Sequence, residues 1–338
     1  MQRLTTRIAT LVLLALGGVS ASAQTAPVVS AAVAIDAAQC RPQALRKPVL
    51  VGMTVQGELS GFDPCHPSVS LTMPVGVDKP PLVISVHGGG GRPDAQAITR
   101  AFAENGLATL IFDAYKHNGM PPRSANASRQ MMLYKVALEA YQWALTRQDI
   151  DRQRIYLYGI SNGASVVLNL AAVVDPAHVK GVFSEAPTPV GIGYPWALQV
   201  PVMIAFGRQD DLGARVGQRR WMISDPCRFN RQLLSAPPGT SENCSDAQPH
   251  GQMLTTLEWA QKVQLKQGAR LDIAYFEGVA HGAFLGPLTV QTAQQFAASR
   301  GFQMPADIGW SEGGTPQGQQ ALLAAALRFF GVGQAGPR

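Results

Sequence analysis

Residues 154–172, RIYLYGISNGASVVLNLAA, restrict the folds open to this chain more than any other stretch. They begin as a β-rich run, Ile155-Tyr156-Leu157-Tyr158, and pass through Gly159-Ile160-Ser161-Asn162-Gly163. They continue with Ala164, Val167, Leu168 and Ala171 at helical spacing. A strand that runs through a tight turn into a helix leaves its serine at the apex. Gly159 permits the sharp turn, Gly163 lets the helix pack close to the sheet, and the Ser161 hydroxyl projects outward. Ser161 is therefore read as a nucleophile. The competing interpretation is an ordinary glycine-rich turn with a capping serine, and the rest of the chain has to decide between the two.

The flanking chain repeats the same rhythm. Residues 81–86, Pro-Leu-Val-Ile-Ser-Val, form a continuous apolar run typical of a strand buried on both faces, and it ends in His87 followed by Gly88, Gly89, Gly90 and Gly91. Residues 92–105 read as a helix stopped by Gly106, 107–113 as a strand, and 128–146 as an amphipathic helix with Leu133, Val136, Ala137, Ala140 and Ala144 on one stripe. Strands at 179–184, 201–206 and 270–276 follow, with helices at 252–267, 288–299 and from the Thr315-Pro316 cap to Phe330. Two earlier strands, 49–55 and 69–73, read as the antiparallel edge of a mixed sheet. Alternating strands and helices predict an α/β fold, a mostly parallel central sheet covered by helices on both faces. Binding sites in such sheets lie at the carboxyl ends of the strands.

The chain divides into residues 1–23 as a signal peptide, 24–47 as an extension and 48–338 as one domain. Arg3 and Arg7 precede an apolar run from Ile8 to Val19 and the small-x-small Ala21-Ser22-Ala23, so the mature chain is expected to begin near Gln24 in a periplasm or beyond. No later segment offers the ~20 uninterrupted apolar residues of a membrane span. In an oxidising compartment Cys40, Cys65, Cys227 and Cys244 suggest two disulfides. Three pairings are open, and proximity in sequence favours Cys40–Cys65 and Cys227–Cys244. The cysteines are too dispersed for a zinc site, so no metal and no cofactor are expected. The net charge of +6 falls to +4 without the two signal-peptide arginines, too little to argue for nucleic acid. Oligomeric state is not legible.

A serine hydroxyl needs an adjacent base, and the base needs an orienting group. His281, in Gly278-Val279-Ala280-His281-Gly282-Ala283-Phe284, lies just past the last predicted strand and is the base candidate. In Gly207-Arg208-Gln209-Asp210-Asp211 after the penultimate strand, Asp210 is the acid candidate and Asp211 the alternative. Asp113, Tyr115 and Glu185 follow strands at the same edge and, with His87, are candidate pocket residues. Residues 212–269 form an insertion before the last strand, stapled by a disulfide. It carries Arg215, Arg219, Arg220, Arg228 and Arg231, either a site for acidic substrates or a solvated surface.

With Ser161, Asp210 and His281 in that order, each after a strand of one alternating pattern, the chain resembles the α/β-hydrolase superfamily from about Val49 to Phe330. Within it, the chain is most similar to the exported, dienelactone-hydrolase-like esterases. The resemblance implies an oxyanion hole built from the backbone N–H of Asn162 and one from Gly88 or Gly89. Dienelactone hydrolases proper carry a cysteine where this chain has Ser161, so their substrate is not transferred. The activity implied is cleavage of a small or polymeric carboxylic ester. A serine peptidase or amidase on the same fold, and a non-catalytic binding protein using the same pocket, are the alternatives.

Overall fold

The computed structural model describes residues 29–35, 40, 61–120, 127–188, 194–215, 222–223, 254–299, 301 and 303–332. Eight strands form one sheet: β1 (Ser30–Val33), β2 (Ser70–Pro74), β3 (Pro81–Val86), β4 (Ala108–Ile111), β5 (Asp151–Ile160), β6 (Val179–Glu185), β7 (Val202–Gly207) and β8 (Leu271–Phe276). Their spatial order is β1-β2-β4-β3-β5-β6-β7-β8. From β4 through β8 every pairing is parallel, and β1 and β2 form the antiparallel edge. This is the α/β architecture expected, a mostly parallel sheet flanked by helices.

The central strands are apolar on both faces because each face meets helices. Along β3, Leu82, Ile84 and Val86 join one core cluster while Val83 joins the other, the two-residue alternation of a pleated strand. On the first face lie α3 (Ala127–Ala144) and α4 (Asn162–Leu170), which bury Leu133, Val136 and Ala140, and Val166 and Val167, respectively. On the other face α1 (Pro93–Glu104) buries Ile98 and Phe102. The last helix, Pro316–Phe329, buries Leu322 and Ala326 beside Phe330, Tyr158 and Phe183. Its ends are those read from sequence: Thr315 accepts the Gly318 N–H at 3.1 Å, Pro316 opens the helix, and Gly331 at φ 72° stops it.

Three segments differ from the sequence-based expectation. Ser30–Val33, inside the stretch read as an extension, pairs residue for residue with Leu71–Pro74 as the outermost strand. The helix expected over 252–267 is only Thr256–Lys262. Thr255 and Glu258 close a capping box at its start, and Gln264–Leu265 leaves the helix to pair in parallel with Ala197–Leu198. Likewise the helix expected over 288–299 is only Ala293–Ala298, again begun by a capping box, Thr292 with Gln295. Pro287 and the β-branched Thr289 precede it in isolated bridges to Gly314 and Glu312, respectively.

The disulfide Cys40–Cys65 is present, with Cα atoms 5.2 Å apart. The pair Cys227–Cys244, the strand 49–55, the signal peptide and Arg219, Arg220, Arg228 and Arg231 lie outside the described residues. The described end of the insertion is anchored by Trp259, fully buried, whose indole N–H donates to the Pro195 carbonyl at 3.0 Å. No helix of the described residues is long and apolar enough to cross a membrane.

Candidate active site

The site sits at the carboxyl edge of the sheet. Ser161 follows β5, Asp210 follows β7 and His281 follows β8, while the glycine loop follows β3. Ser161 occupies φ 55°, ψ −119°, a region non-glycine residues rarely adopt, and its side chain makes no capping bond to the helix it begins. Close approach explains the neighbouring glycines. A Cβ on Gly159 would lie 2.3 Å from the Gly163 carbonyl oxygen, and one on Gly163 would lie 2.2 Å from that of Val86. The turn is therefore too tight, and the helix too near β3, for any side chain at either position.

Asp210 and His281 meet directly, with Asp210 Oδ2 3.2 Å from His281 Nδ1 and both residues buried. The other Asp210 oxygen accepts the Leu212 N–H at 3.1 Å. Asp211 turns elsewhere, its carboxylate accepting the Ser311 N–H at 2.8 Å, so the structure selects Asp210 as the partner of His281. The two loops are stitched together by the Gln209 N–H donating to the Val279 carbonyl at 2.9 Å and by the Val279 N–H donating to Gln209 Oε1 at 3.1 Å. Burial alone would lower the His281 pKa, but the charge and hydrogen bond of Asp210, aided by Glu185 and Asp94, outweigh it and hold the imidazole above its ordinary 6.5.

Ser161 and His281 stand on turns tied to one residue, Glu185. The Ser161 N–H donates to the Glu185 carbonyl at 2.9 Å, and the Ala283 N–H donates to Glu185 Oε1 at 2.5 Å. A Cβ on Gly282 would sit 2.6 Å from Ile160 Cδ1, so the histidine turn packs against the residue preceding the serine.

In the glycine loop, a Cβ on Gly88 would lie 3.1 Å from Ser161 Cβ, and one on Gly89 3.5 Å from Asn162 Nδ2. The Gly90 N–H donates to Asp94 Oδ2 at 2.6 Å and the Gly91 N–H to the Gly88 carbonyl at 3.3 Å. The Asn162 side chain is held by Gln130 and Thr188, which donate to its Oδ1 at 3.2 and 3.0 Å. Neither of these supports was visible in the sequence, because each depends on how α3 and the end of β6 fall around α4.

The four candidate pocket residues, His87, Asp113, Tyr115 and Glu185, are all buried, and the structure shows them bracing the loops. His87 Nε2 accepts the Ala114 N–H at 2.9 Å while its Nδ1–H faces the Gly88 carbonyl at 2.8 Å, which defines the tautomer. Burial pushes its pKa below the ordinary 6.5, which favours the neutral ring. Asp113 caps the short helix α2 (Ala114–His117) by accepting from Tyr115 and Lys116, each at 3.1 Å, and also accepts from the Arg92 N–H at 3.3 Å. Tyr115 packs edge-on against His87, ring centroids 4.8 Å apart. Among the described residues no group of three or more His, Cys, Asp or Glu is placed to hold a metal.

No family model matches the chain. Among curated proteins it is similar to an uncharacterized protein of Mycobacterium tuberculosis, 26% identical over 153 residues, covering 39% of this chain and 53% of that protein. It is also similar to an uncharacterized 31.7 kDa protein of the traX-finO intergenic region of Escherichia coli, 32% identical over 120 residues, covering 35% and 41%. The chain thus spans about half the length, or less, of the curated relatives it matches. Similar solved structures include a putative dienelactone hydrolase from Klebsiella pneumoniae, 16% identical with a TM-score of 0.47 over 78% of this chain and 92% of that one. The dienelactone hydrolase-like promiscuous phosphotriesterase P91 from metagenomic libraries is 13% identical with a TM-score of 0.44 over 78% and 91%. A dienelactone hydrolase from Anabaena variabilis is 15% identical with a TM-score of 0.42 over 78% and 89%.

Proposed function

We propose that this chain is a serine hydrolase that cleaves carboxylic esters through an acyl-enzyme, with Ser161 as nucleophile, His281 as base and Asp210 as its orienting acid. The observation that carries the reading is the strained Ser161 apex, φ 55°, at the same sheet edge as the Asp210–His281 hydrogen-bonded pair. With His281 Nδ1–H directed at Asp210, Nε2 is the nitrogen free to take the serine proton. The hydroxyl oxygen then bonds the ester carbonyl carbon, and the carbonyl electrons move onto oxygen. The Asn162 N–H and an N–H of the glycine loop receive that oxyanion. Gly90 and Gly91 have their amides committed to Asp94 and the Gly88 carbonyl, which leaves Gly88 and Gly89 for the role. One such donor is typically worth about 3 kcal/mol. Collapse of the intermediate expels the alcohol, which takes the proton from His281. Water, deprotonated by the same nitrogen, then releases the acid and restores Ser161.

The test is hydrolysis of a short p-nitrophenyl ester and labelling by a fluorophosphonate, with Ser161→Ala as blank. Loss of the nucleophile is expected to cost on the order of 10⁶ in turnover and to abolish labelling. Ester cleavage retained in Ser161→Ala sinks the reading. Turnover of matching anilides in preference to esters would move the chain to the amidases, and absence of labelling in the unaltered protein would leave a binding protein.

A further inference from the structure

We infer that Glu185 is a positioning residue that locks the nucleophile turn and the histidine turn into one fixed spacing. This rests on the catalytic reading of Ser161 and His281 above. Glu185 is the last residue of β6 and is 1% exposed. Three bonds converge on it from separate parts of the site. Its backbone carbonyl accepts the Ser161 N–H at 2.9 Å. Its Oε1 accepts the Ala283 N–H at 2.5 Å, two residues beyond His281. Its Oε2 accepts the Tyr158 hydroxyl at 2.5 Å, on the strand that ends at the nucleophile.

The chain is bent to hold it there. Ala186, the next residue, sits at φ 50°, left-handed and non-glycine like Ser161, and is pinned by its N–H to the Ala205 carbonyl at 2.8 Å. Burial pushes the Glu185 carboxyl above its ordinary range, so keeping it ionised opposes stability, and its bonds to Tyr158 and Ala283 offset that only in part. An apolar side chain of similar volume would avoid the desolvation penalty but would leave the buried Ala283 N–H without an acceptor. The carboxylate ties the histidine turn at Ala283 to Tyr158 on the strand that leads into the nucleophile turn, and through them it sets the distance between a hydroxyl and an imidazole that must exchange a proton.

The experiment compares Glu185→Ala and Glu185→Gln with the unaltered protein, using active sites counted by fluorophosphonate titration, kcat and KM on a short p-nitrophenyl ester, and Tm. Loosening the spacing by about 1 Å predicts a kcat per titrated site lower by about 10²-fold in Glu185→Ala, with KM little changed. Glutamine can accept from Ala283 and donate to the Tyr158 oxygen, so Glu185→Gln is expected to return kcat to within about fivefold of the unaltered protein. A kcat per titrated site that stays unaltered in both variants, with only Tm or the number of active sites reduced, overturns the inference and makes Glu185 a stability residue. If Glu185→Ala does not fold, Glu185→Asp, which keeps the charge on a shorter side chain, is read in its place: a kcat per titrated site lower by more than tenfold beside a near-normal Glu185→Gln upholds the inference, and an unaltered kcat in Glu185→Asp overturns it. Hydrolysis surviving in Ser161→Ala would instead overturn the catalytic reading and this inference together, whereas a dead Ser161→Ala beside a fully active Glu185→Ala overturns this inference alone.

Discussion

Gly207 and Val279 are in such close contact that a Cβ on the glycine would lie 2.2 Å from the Val279 carbonyl oxygen. That contact lets the loop carrying Asp210 and the loop carrying His281 run side by side. Gly207→Ala must therefore push the loops apart, and overpacking of this kind costs about 1–3 kcal/mol. Because the displacement separates acid from base, we expect kcat to fall by about 10²-fold as well. Thermal melts and steady-state kinetics on the variant check both, and a variant with normal kcat would show that the loop contact is not needed for the pair to form.

Asp210→Asn keeps the shape but removes the charge that holds the His281 pKa up. The expected result is a kcat lower by about 10⁴, as when an orienting carboxylate is neutralised in related triads. The residual activity should also show its acid limb at lower pH than in the unaltered protein. A pH–rate profile of kcat/KM reads both effects, and an unmoved acid limb would mean that His281 is not the titrating base.

The raised pKa of His281 makes activity and stability depend on pH in opposite senses. On the proposed mechanism activity needs the neutral imidazole, so it is expected to rise as pH climbs through the folded-state pKa, above 6.5. Stability behaves differently: the folded state binds the proton more tightly than the unfolded chain. That contribution is fully present below 6.5 and is lost as pH rises through the folded pKa. Denaturation midpoints of the unaltered protein and of His281→Gln across this range should converge as pH increases. Parallel curves would contradict the linkage.

Trp259 joins the far end of the insertion to the sheet, and its replacement by alanine removes a large buried side chain. A loss of about 3–5 kcal/mol is expected, against about 1 kcal/mol for Trp259→Phe, which keeps most of the packing but loses the bond to Pro195. Chemical denaturation of the two variants gives the comparison, and equal losses would assign the effect to the hydrogen bond.

Export is a proposal that rests on residues 1–23. The form recovered from the periplasm or medium of the producing cell should begin near Gln24 by mass spectrometry, with recovery of the uncut chain from the cytoplasm alone as the opposing result.

What could be read from the sequence was local. The helix Pro316–Phe329 announces both ends through Thr315, Pro316 and Gly331, and β3 announces itself as an unbroken apolar run. The proposed site of Ser161, Asp210 and His281 could be named because each follows such a run and the proposed chemistry requires those three residue types. The helices Thr256–Lys262 and Ala293–Ala298 are shorter than the stretches 252–267 and 288–299 suggest. Thr255 with Glu258 and Thr292 with Gln295 marked the true starts. Ser30–Val33 offered no local signal at all, since its partner is some forty residues away at Leu71–Pro74. The role of Glu185 was hidden for the same reason: it is defined by the Ser161 and Ala283 backbone amides, from distant turns.

The placement of Ser30–Val33 has a practical side for anyone producing the protein. A recombinant version trimmed back to residue 34 or later, to discard what reads as leader and spacer, would strip the outermost ribbon and bare the N–H and C=O groups of β2 along its length. Such a version should self-associate through that raw edge, whereas one starting at Gln24 keeps it sheathed.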